Sequence, residues 1–322
     1  MLPLAAGLTP APAAPTSPAT CAAVVVHYRD ARLTERCVDS LLAQAAPIDV
    51  IVVDNRSPDG SGAELEQLFA GHERVHFVRS DTNGGFGAGC NQGFAFALRR
   101  WPSLPHVLLL NPDAEMAPGA LCELLATSDR HPDAGIVGCR IDDEGGRAWF
   151  TNGRLPRWTL RGFHCAAPAA AEHRSEFVTG ACMLLRADLL RAGLRFHEGY
   201  FLYCEDAELC CDVLARGREL WVTQRARVRH VGGGSQTGAR VLDEFTGERL
   251  YWLTRAKVLF ARRRLPILRR CAFLAVAAVL KPLAGLLRSR SLRFLGPYYR
   301  GLWSGLCAAV RDPGTAGAPV TA

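Results

Sequence analysis

Two adjacent carboxylates, Glu205 and Asp206, stand at the start of a predicted helix. Leu209, Val213 and Leu214 follow with the spacing of one helix face, and acidic side chains are favoured in the first turn of a helix. A carboxylate in this position can remove a proton from a hydroxyl group, which is general-base chemistry. The alternative is that Asp206 only caps the helix, the commoner role for an isolated pair of this kind. The motifs described next favour the chemical role.

Polar residues also follow two apolar segments that are typical of buried strands. Asp54 comes directly after one of them, where its carboxylate could accept hydrogen bonds from a nucleotide base or a ribose, or could simply close a turn. Asn111 and Asp113 come after Leu108–Leu110. Residues two apart in an extended chain project to the same side, so both could face a metal-bound diphosphate. The alternative is an Asn-Pro-Asp turn that binds no ligand.

A glycine-rich loop spans Asn83–Asn91 and opens a predicted helix. Such a loop lets the backbone approach an anionic or sugar group closely. Its glycine spacing differs from the dinucleotide fingerprint, and it follows the third predicted strand, so an NAD site is not expected. His230, which precedes three glycines, could complete a metal site with Asp113, although a single histidine at a strand end is more often structural.

Strands and helices alternate along the first part of the chain, which is typical of a doubly wound α/β sheet. The predicted strands are Ala22–Val26, Asp49–Val53, Val75–Val78, His106–Leu110, Gly135–Cys139, Ala181–Leu185, Leu220–Val222 and Val228–Val231. The predicted helices are Thr34–Gln44, Gly62–Phe69, Pro118–Ser128, Ala187–Ala192 and the helix that begins near Glu205. Ligands of such sheets bind beyond the carboxyl ends of the strands, where we expect the polar residues described above to meet.

Charge is unevenly distributed along the chain. The 322 residues carry a net charge of +7, but Arg249–Arg311 contains 14 Lys or Arg and no Asp or Glu, so the rest of the chain has a net charge of −7. This basic segment predicts an anionic partner. Its long apolar stretches favour a membrane surface over nucleic acid, and the alternative is a set of helices packed on the catalytic domain with a solvated basic face.

No stretch of the sequence predicts a membrane-spanning helix. The closest is Cys271–Leu280, which Lys281 and Pro282 end before it reaches the roughly 20 residues that a span requires. Residues 1–20 lack the basic and apolar regions of a signal peptide and are predicted to be a disordered leader. The 12 cysteines are scattered, without the paired spacing of a zinc site, which favours a reduced, cytosolic protein.

Taken in order, these motifs resemble those of the family 2 glycosyltransferases, inverting enzymes of the GT-A fold, and especially their rhamnosyltransferase-like branch. The resemblance covers about residues 22–260. The matching segments are the first strand Val24–Tyr28, the nucleotide-binding Asp in Val53–Asn55, the loop Asn83–Asn91, Asn111–Asp113 in place of Asp-x-Asp, the acceptor-side strand Thr179–Arg186, the Glu205-Asp206 pair, and His230 with Gly232–Gly234. Asn111 replaces the first Asp of the family motif, and His27 and Arg29 replace the more usual Thr and Asn around Tyr28.

The resemblance implies a role for each site residue. The residues expected to bind the nucleotide and sugar are His27, Tyr28, Asp54, Asn83, Gly85, Phe86, Asn91, Asn111 and Asp113. Asp113 and His230 are expected to hold Mg²⁺ or Mn²⁺, which would neutralise the diphosphate leaving group. Asp206 is expected to accept the proton of the acceptor hydroxyl, with Glu205 orienting the acceptor or supporting the base.

The resemblance also implies a domain organisation and a function. Residues 21–250 are expected to form an α/β GT-A domain, a Rossmann-like mixed sheet flanked by helices, followed by a helical membrane-associating segment at 251–311 and a flexible tail at 312–322. The expected reaction is single-displacement transfer of a sugar, with dTDP-L-rhamnose as the donor. A saccharide, or a polyprenyl-diphosphate-linked acceptor, would receive it at the cytoplasmic face of the cell membrane, in cell-wall or surface polysaccharide synthesis. The alternatives are a UDP-sugar donor and a catalytically silent membrane-surface scaffold.

Overall fold

The computed structural model describes residues 20–155, 164–165, 170–231, 247–289 and 291–310. The fold is built around a ten-stranded mixed sheet. Its strands are β1 (Cys21–His27), β2 (Ile48–Asp54), β3 (Val75–Arg79), β4 (His106–Leu110), β5 (Ala114–Met116), β6 (Ala134–Asp142), β7 (Ala148–Phe150), β10 (Glu172–Ser175), β11 (Cys182–Arg186) and β12 (Glu219–His230); β8 (Asn152–Gly153) and β9 (His164–Cys165) form a separate pair. The helices are α1 (Ala31–Leu42), α2 (Ser61–Leu68), α3 (Phe86–Arg100), α4 (Ala120–Arg130), α5 (Ala187–Arg191), α6 (Glu205–Ala215), α7 (Gly247–Arg264), α8 (Ile267–Ala275), α9 (Lys281–Ser289) and α10 (Leu295–Cys307).

The main path of the sheet runs β10-β12-β6-β11-β4-β1-β2-β3, with β5 paired to β12 and β7 paired to β6. Strands β3, β2, β1 and β4 are parallel to one another, and all seven residues of β1 and all five of β4 are buried. These are the apolar runs expected of strands covered by helices on both faces. The mixed α/β sheet with flanking helices is therefore confirmed.

The sheet departs from a doubly wound parallel one at β11, which runs antiparallel to both β4 and β6. The amino end of β11 therefore lies at the same edge of the sheet as the carboxyl ends of β1, β2 and β4. The prediction of two separate strands at 220–222 and 228–231 is wrong, because both segments lie on one continuous strand, β12, which ends at His230. The pairing of β12 with β6 shifts register between Thr223 and Arg227. Such an irregularity is a bulge that lets a long strand bend without ending.

Helix α3 lies directly on β1 because its contact face is made of glycine. A Cβ at Gly93 would clash with the side chain of Val24, and a Cβ at Gly89 would clash with Val26. The helix that begins at the glycine-rich loop is thereby held close to the strand that ends at the site.

Three consecutive segments, α8, a π-helical turn at Val276–Leu280 and α9, form one continuous helix. The expectation that Lys281 and Pro282 end this apolar stretch is wrong, because the helix continues through both. The π turn widens the helix just before the proline, with the N–H of Lys281 bonded to the carbonyl of Val276, and so accommodates a residue that has no N–H of its own. By length and composition, residues Ile267–Leu287 of this helix could cross a membrane.

Gly93→Ala tests the contact between α3 and β1. We expect it to lower the free energy of unfolding by about 1–3 kcal/mol, because the added methyl group overpacks the core against Val24. The control is Gly247→Ala at the start of α7, where a Cβ meets nothing within 4 Å, and where alanine should be neutral or slightly stabilising. Denaturant unfolding of both variants measures the difference, and equal stabilities would show that α3 does not need glycine to approach the strand.

Candidate functional site

The strand ends expected to carry chemistry meet at one edge of the sheet. The N–H of Asn111, just after β4, donates to the carbonyl of Ala181 (3.0 Å), and Cys182 is the register partner of Leu110. Asp54, the last residue of β2, is the register partner of His27 at the end of β1. The antiparallel β11 therefore completes an edge that the parallel strands alone would have left open beside Asn111.

Asp54 and the glycine-rich loop are connected through Asn55, a residue that was not predicted as part of the site. Asp54 Oδ1 accepts a hydrogen bond from the N–H of Ser57 (3.0 Å). Asn55 Nδ2 donates to Asn83 Oδ1 (2.9 Å) and to the carbonyl of Gly85 (3.1 Å). Asn55 is buried, and its Oδ1 has no hydrogen-bond partner among the residues that the structure describes. In the sequence, Asn55 is indicated only by its position directly after Asp54, at the end of a strand.

The loop at Asn83–Phe86 is held against the segment that leads into α6. Gly85 has a φ of 88°, and a Cβ there would clash with the carbonyl of Phe201. That same carbonyl accepts a hydrogen bond from the N–H of Phe86 (3.2 Å). A Cβ at Gly180 would lie 3.2 Å from the ring of Phe86, which is a tight contact. The glycine-rich loop is therefore in direct contact with the segment that precedes α6.

Asp206 is bound to the sheet edge by a backbone hydrogen bond. The N–H of Gly180 donates to Asp206 Oδ2 (3.1 Å), and the N–H of Ala207 donates to Asp206 Oδ1 (2.8 Å). Desolvation by burial raises the pKa of Asp206, while these N–H groups act in the opposite direction because they stabilise the charged form. Asp206 as a residue is half-buried, so part of its surface is open to solvent.

The surroundings of Glu205 favour its neutral, protonated form more than those of Asp206 do. It is 6% exposed, and its Oε2 has no hydrogen-bond partner in the described part of the chain. Burial, and secondarily the charge on Asp206, raise the pKa of Glu205 to about 8. Asp206 is therefore the better of the two positions for a negative charge, because it has N–H donors that Glu205 Oε2 lacks.

Strained backbone surrounds this edge. Among the described residues, the non-glycine positions with positive φ are Arg29, Asp30, Arg56, Tyr203 and Cys204. They lie directly after β1, shortly after β2 and directly before α6. A non-glycine residue in this region costs of order 1–3 kcal/mol and clusters at functional sites when the surrounding structure holds it in place.

Asp113 and His230 are brought together as predicted by their strand-end positions. Asp113 Oδ1 lies 3.1 Å from His230 Nε2, but the contact lacks hydrogen-bond geometry, and Oδ1 is buried with no hydrogen-bond partner among the described residues. Asn111 Nδ2 lies 3.5 Å from the same imidazole nitrogen, and the ring of Trp149 stacks on His230 at 5.0 Å. Gly232–Gly234, which follow in the family motif, lie outside the described residues.

A divalent ion at this position would have few protein ligands. The described residues contain no group of three or more His, Cys, Asp or Glu side chains that could hold a metal. The unpartnered oxygen of Asp113 and the imidazole of His230 nevertheless fit an ion that takes its remaining ligands from water and phosphate oxygens, as Mg²⁺ does in phosphate-binding sites.

Two residues expected to bind the nucleotide have their polar atoms engaged in the protein. His27 is 0% exposed, with Nδ1 at 2.8 Å from Thr34 Oγ1 and Nε2 at 2.9 Å from Ser61 Oγ, and burial lowers its pKa. Asn91 exchanges two hydrogen bonds of 2.9 Å with the backbone of Phe196. Both side chains join elements behind the site. Tyr28, by contrast, is partly exposed.

The far side of α6 is fixed by a buried ion cluster. Glu208 is fully buried and accepts from Arg263 Nε (2.7 Å) and from the hydroxyl of Tyr200 (3.1 Å), and Arg264 Nη2 lies 2.8 Å from it. Arg262 donates to backbone carbonyls at the end of α10. These three arginines belong to the basic segment that was expected to face a membrane surface, and the structure instead places them against α6 and the end of α10.

Comparison with known proteins finds a matching family and related sequences. The model of glycosyl transferase family 2 matches residues 22–194, more than half of the chain. An N-acetylglucosaminyl-diphospho-decaprenol L-rhamnosyltransferase of Mycobacterium tuberculosis is 28% identical over 211 residues, covering 58% of this chain and 67% of that protein. The low-salt glycan biosynthesis hexosyltransferase Agl10 of Haloferax volcanii is 27% identical over 193 residues, covering 58% and 59%.

Solved structures share the fold at low sequence identity. GalNAc-T7 with UDP, GalNAc and Mn²⁺ superposes with a TM-score of 0.57 at 15% identity, covering 77% of this chain and 48% of that one. Residues 1–349 of S. aureus TarS superpose with a TM-score of 0.56 at 16% identity, covering 89% and 80%. This chain thus spans about half the length of the first structure. The expected GT-A fold is confirmed by these neighbours.

Glu205→Gln tests the shared charge at the start of α6. A carboxyl whose pKa is raised from 4.5 in the unfolded chain to about 8 in the native state stabilises the fold below the lower value, and this contribution is lost as the pH rises toward the higher one. We therefore expect the wild-type free energy of unfolding to fall between about pH 5 and pH 8. The glutamine variant should lack this decrease and be more stable at the upper end by roughly 1–3 kcal/mol.

Denaturant titrations across this pH range provide the measurement. The control is Glu73→Gln, which changes an exposed carboxyl on the surface and should leave the pH profile unchanged. Identical profiles for the wild type and Glu205→Gln would mean that Glu205 is already ionised at neutral pH.

Proposed function

Because the chain belongs to glycosyl transferase family 2 and is a glycosyltransferase, we propose that it moves a hexose from a nucleotide sugar to a saccharide on a polyprenyl-diphosphate carrier, with inversion at the anomeric carbon. The observation that carries this proposal is the position of Asp206, a partly exposed carboxylate bound to Gly180 at the sheet edge. The same edge carries Asn111 and the Asp113–His230 pair, so a base and a diphosphate-binding group face one site.

The donor would bind at the ends of β1 and β2. Asp54 presents a carboxylate at the end of β2, and Tyr28, which follows β1 directly, is partly exposed. The loop at Asn83–Phe86 offers backbone that can approach the sugar closely. In this proposal Asn55 positions the loop, because its amide joins Asn83 to the strand that bears Asp54. His27 and Asn91 would act at a distance by holding α1, α2 and the segment at Phe196 in place.

Asp206 would accept the proton of the acceptor hydroxyl as its oxygen attacks the anomeric carbon. Glu205, kept neutral by burial, would leave Asp206 as the only charged member of the pair and could donate a hydrogen bond to the acceptor. Asp113 and His230 would hold Mg²⁺ or Mn²⁺, and that ion, when bound, supplies neutralisation of the diphosphate leaving group.

For the donor sugar we propose L-rhamnose, carried by dTDP. The support is the Mycobacterium tuberculosis relative, whose name specifies an L-rhamnosyltransferase acting on N-acetylglucosaminyl-diphospho-decaprenol. A UDP-sugar is the second candidate, and it is favoured by the structural neighbour bound to UDP, GalNAc and Mn²⁺. A lipid-linked acceptor would place the reaction at the cytoplasmic surface of the cell membrane, in the synthesis of cell-wall or surface polysaccharide.

Asp206→Asn should abolish transfer while donor binding is retained. The amide keeps the shape of the side chain but cannot accept a proton, and loss of a general base lowers a rate by about 10²- to 10⁴-fold. Turnover of dTDP-L-rhamnose and of a UDP-sugar with a short lipid-linked acceptor, together with calorimetric binding of each donor, measures both quantities. The control is Asp39→Asn, on the exposed face of α1. A variant that kept a third of wild-type turnover would leave Asp206 only a structural role, as the residue that joins α6 to Gly180.

Asp113→Ala and His230→Ala should each raise the Mn²⁺ concentration needed for half-maximal activity. The reason is that each removes one of only two protein ligands proposed for the ion. Electron paramagnetic resonance of Mn²⁺ in the presence of nucleotide diphosphate should show weaker binding by both variants. Full wild-type activity in excess EDTA would contradict the proposal and leave protein side chains alone to stabilise the diphosphate.

A further inference from the structure

The exposed large apolar side chains of this protein are concentrated on the C-terminal helices. Of the thirteen such residues in the described part of the chain, ten lie between positions 267 and 303. They are Ile267, Leu268, Val276, Val279, Leu280, Leu283, Leu287, Leu292, Tyr299 and Trp303, which we call the apolar face. Leu268, Leu287 and Trp303 are 82%, 72% and 69% exposed. An apolar patch of this kind on a protein surface marks a site of interaction.

The middle of the long helix is fixed to α10 by two tyrosines. Pro282 has no N–H, so nearby carbonyls of the preceding turn lose their helical partner. The hydroxyl of Tyr298 donates to the carbonyl of Ala277 (2.6 Å), and the hydroxyl of Tyr299 donates to that of Ala278 (3.0 Å). These bonds satisfy the carbonyls and hold the helix against its neighbour along one side, leaving the opposite side exposed.

α10 is in turn fixed to the catalytic domain through α7. Gly301 and Gly305 allow close contact with the backbone of α7, and the hydroxyl of Tyr251 donates to Ser304 Oγ (3.0 Å). The other side of α7 provides the arginines that pair with Glu208 on α6. A continuous series of packed elements therefore joins the apolar face to the helix that bears Asp206.

The charge around the apolar face identifies its partner. Arg293 and Arg300 are exposed beside Leu292, Tyr299 and Trp303, and no acidic residue occurs between positions 249 and 311. Apolar and aromatic side chains bordered by cations suit the interface of a bilayer that contains anionic lipid. A symmetric contact between two copies through this face would instead bring like charges together.

We propose that the apolar face inserts into one leaflet of an anionic phospholipid bilayer, with the helix at Ile267–Ser289 lying in the plane of the membrane. This proposal deepens the membrane location given under the proposed function and rests on it. The helix is about 35 Å long, enough to span. A spanning arrangement would however pull α10, and with it the polar catalytic domain, into the hydrocarbon region, because the tyrosines attach α10 to the middle of the helix. Burial of leucine and tryptophan, in addition to attraction between charges, holds the protein at the surface.

Flotation of the full chain with vesicles of phosphatidylglycerol and phosphatidylcholine tests the proposal. We expect binding to persist at about 1 M NaCl, where charges are screened within about 3 Å. Partitioning should weaken roughly tenfold in each of the variants Leu268→Ser, Leu283→Ser and Leu287→Ser, since each loses an apolar side chain that would be buried in the bilayer. Leu68→Ser, on a leucine of α2 that is 53% exposed against 51% for Leu283, is the matched control and should not alter binding. Brominated lipids should quench fluorescence of the wild type more than that of Trp303→Phe.

Three outcomes would overturn the proposal. Complete release at high salt would reduce the attachment to electrostatic attraction alone. Cleavage of the α9–α10 connection by a protease enclosed in sealed vesicles, with protection from the same protease added outside, would identify a spanning helix. Self-association without vesicle binding would assign the apolar face to a second copy. Circular dichroism confirms that the serine variants are folded, and their donor binding and turnover of a soluble acceptor should equal those of the wild type. Loss of membrane binding with activity retained is thereby distinguished from failure of the proposed transfer reaction.

Discussion

The hydrogen bond from the N–H of Gly180 to Asp206 Oδ2 is the contact on which the arrangement of the site depends. It joins the amino end of β11 to the first turn of α6, two segments that nothing in a parallel sheet would bring together. The bond exists because β11 runs antiparallel to β4, so that its beginning, and not its end, lies beside Asn111. It also offsets part of the cost of burying a carboxylate, since an N–H donor stabilises the charged form. Glu205, whose Oε2 lacks such a donor among the described residues, has its pKa raised to about 8 by burial, so the hydrogen-bond donors favour Asp206 as the position of a negative charge.

α6 is held from both sides, and the second side explains the basic C-terminal helices. A buried carboxylate is costly unless cations and hydrogen-bond donors surround it, and Glu208 has Arg263, Arg264 and Tyr200. Removing one partner of such a cluster is costly because the remaining charge stays buried without compensation. α7 is therefore a structural part of the catalytic domain, although its sequence looks like an appended basic segment. The exposed arginines that remain for a membrane surface are farther along the chain, on and beside α10.

Much of the fold and of the site followed from local sequence. The buried strands β1, β2 and β4 were predictable because they are uninterrupted apolar runs, and the residues that end them were predictable because polar groups after such runs face the ligand edge. The antiparallel direction of β11 was not, since an apolar strand has the same pattern in either direction. The engagement of His27 with Thr34 and Ser61 depends on helices brought together only by folding. The partners of Arg263 and Arg264 are more than fifty residues away in the sequence, so periodicity along α7 contains no information about them. The continuity of the helix through Pro282 depends equally on tyrosines from α10.

The same contacts imply a fixed orientation of the site relative to the apolar face. Rigid helices connected by buried hydrogen bonds and ion pairs transmit position without a flexible linker, and each connection between α9, α10, α7 and α6 is of this kind. An enzyme that acts on a lipid-linked acceptor gains from such rigidity, because the acceptor is confined to a plane and its reactive hydroxyl stands at a limited height above it. Under the proposed function, a base held at a constant distance from the bilayer surface would meet that hydroxyl without a further ordering cost, which is the entropic advantage of prior positioning. The interlocking of α7 with α6 through Glu208 would thus link the proposed depth of membrane insertion to the position of Asp206.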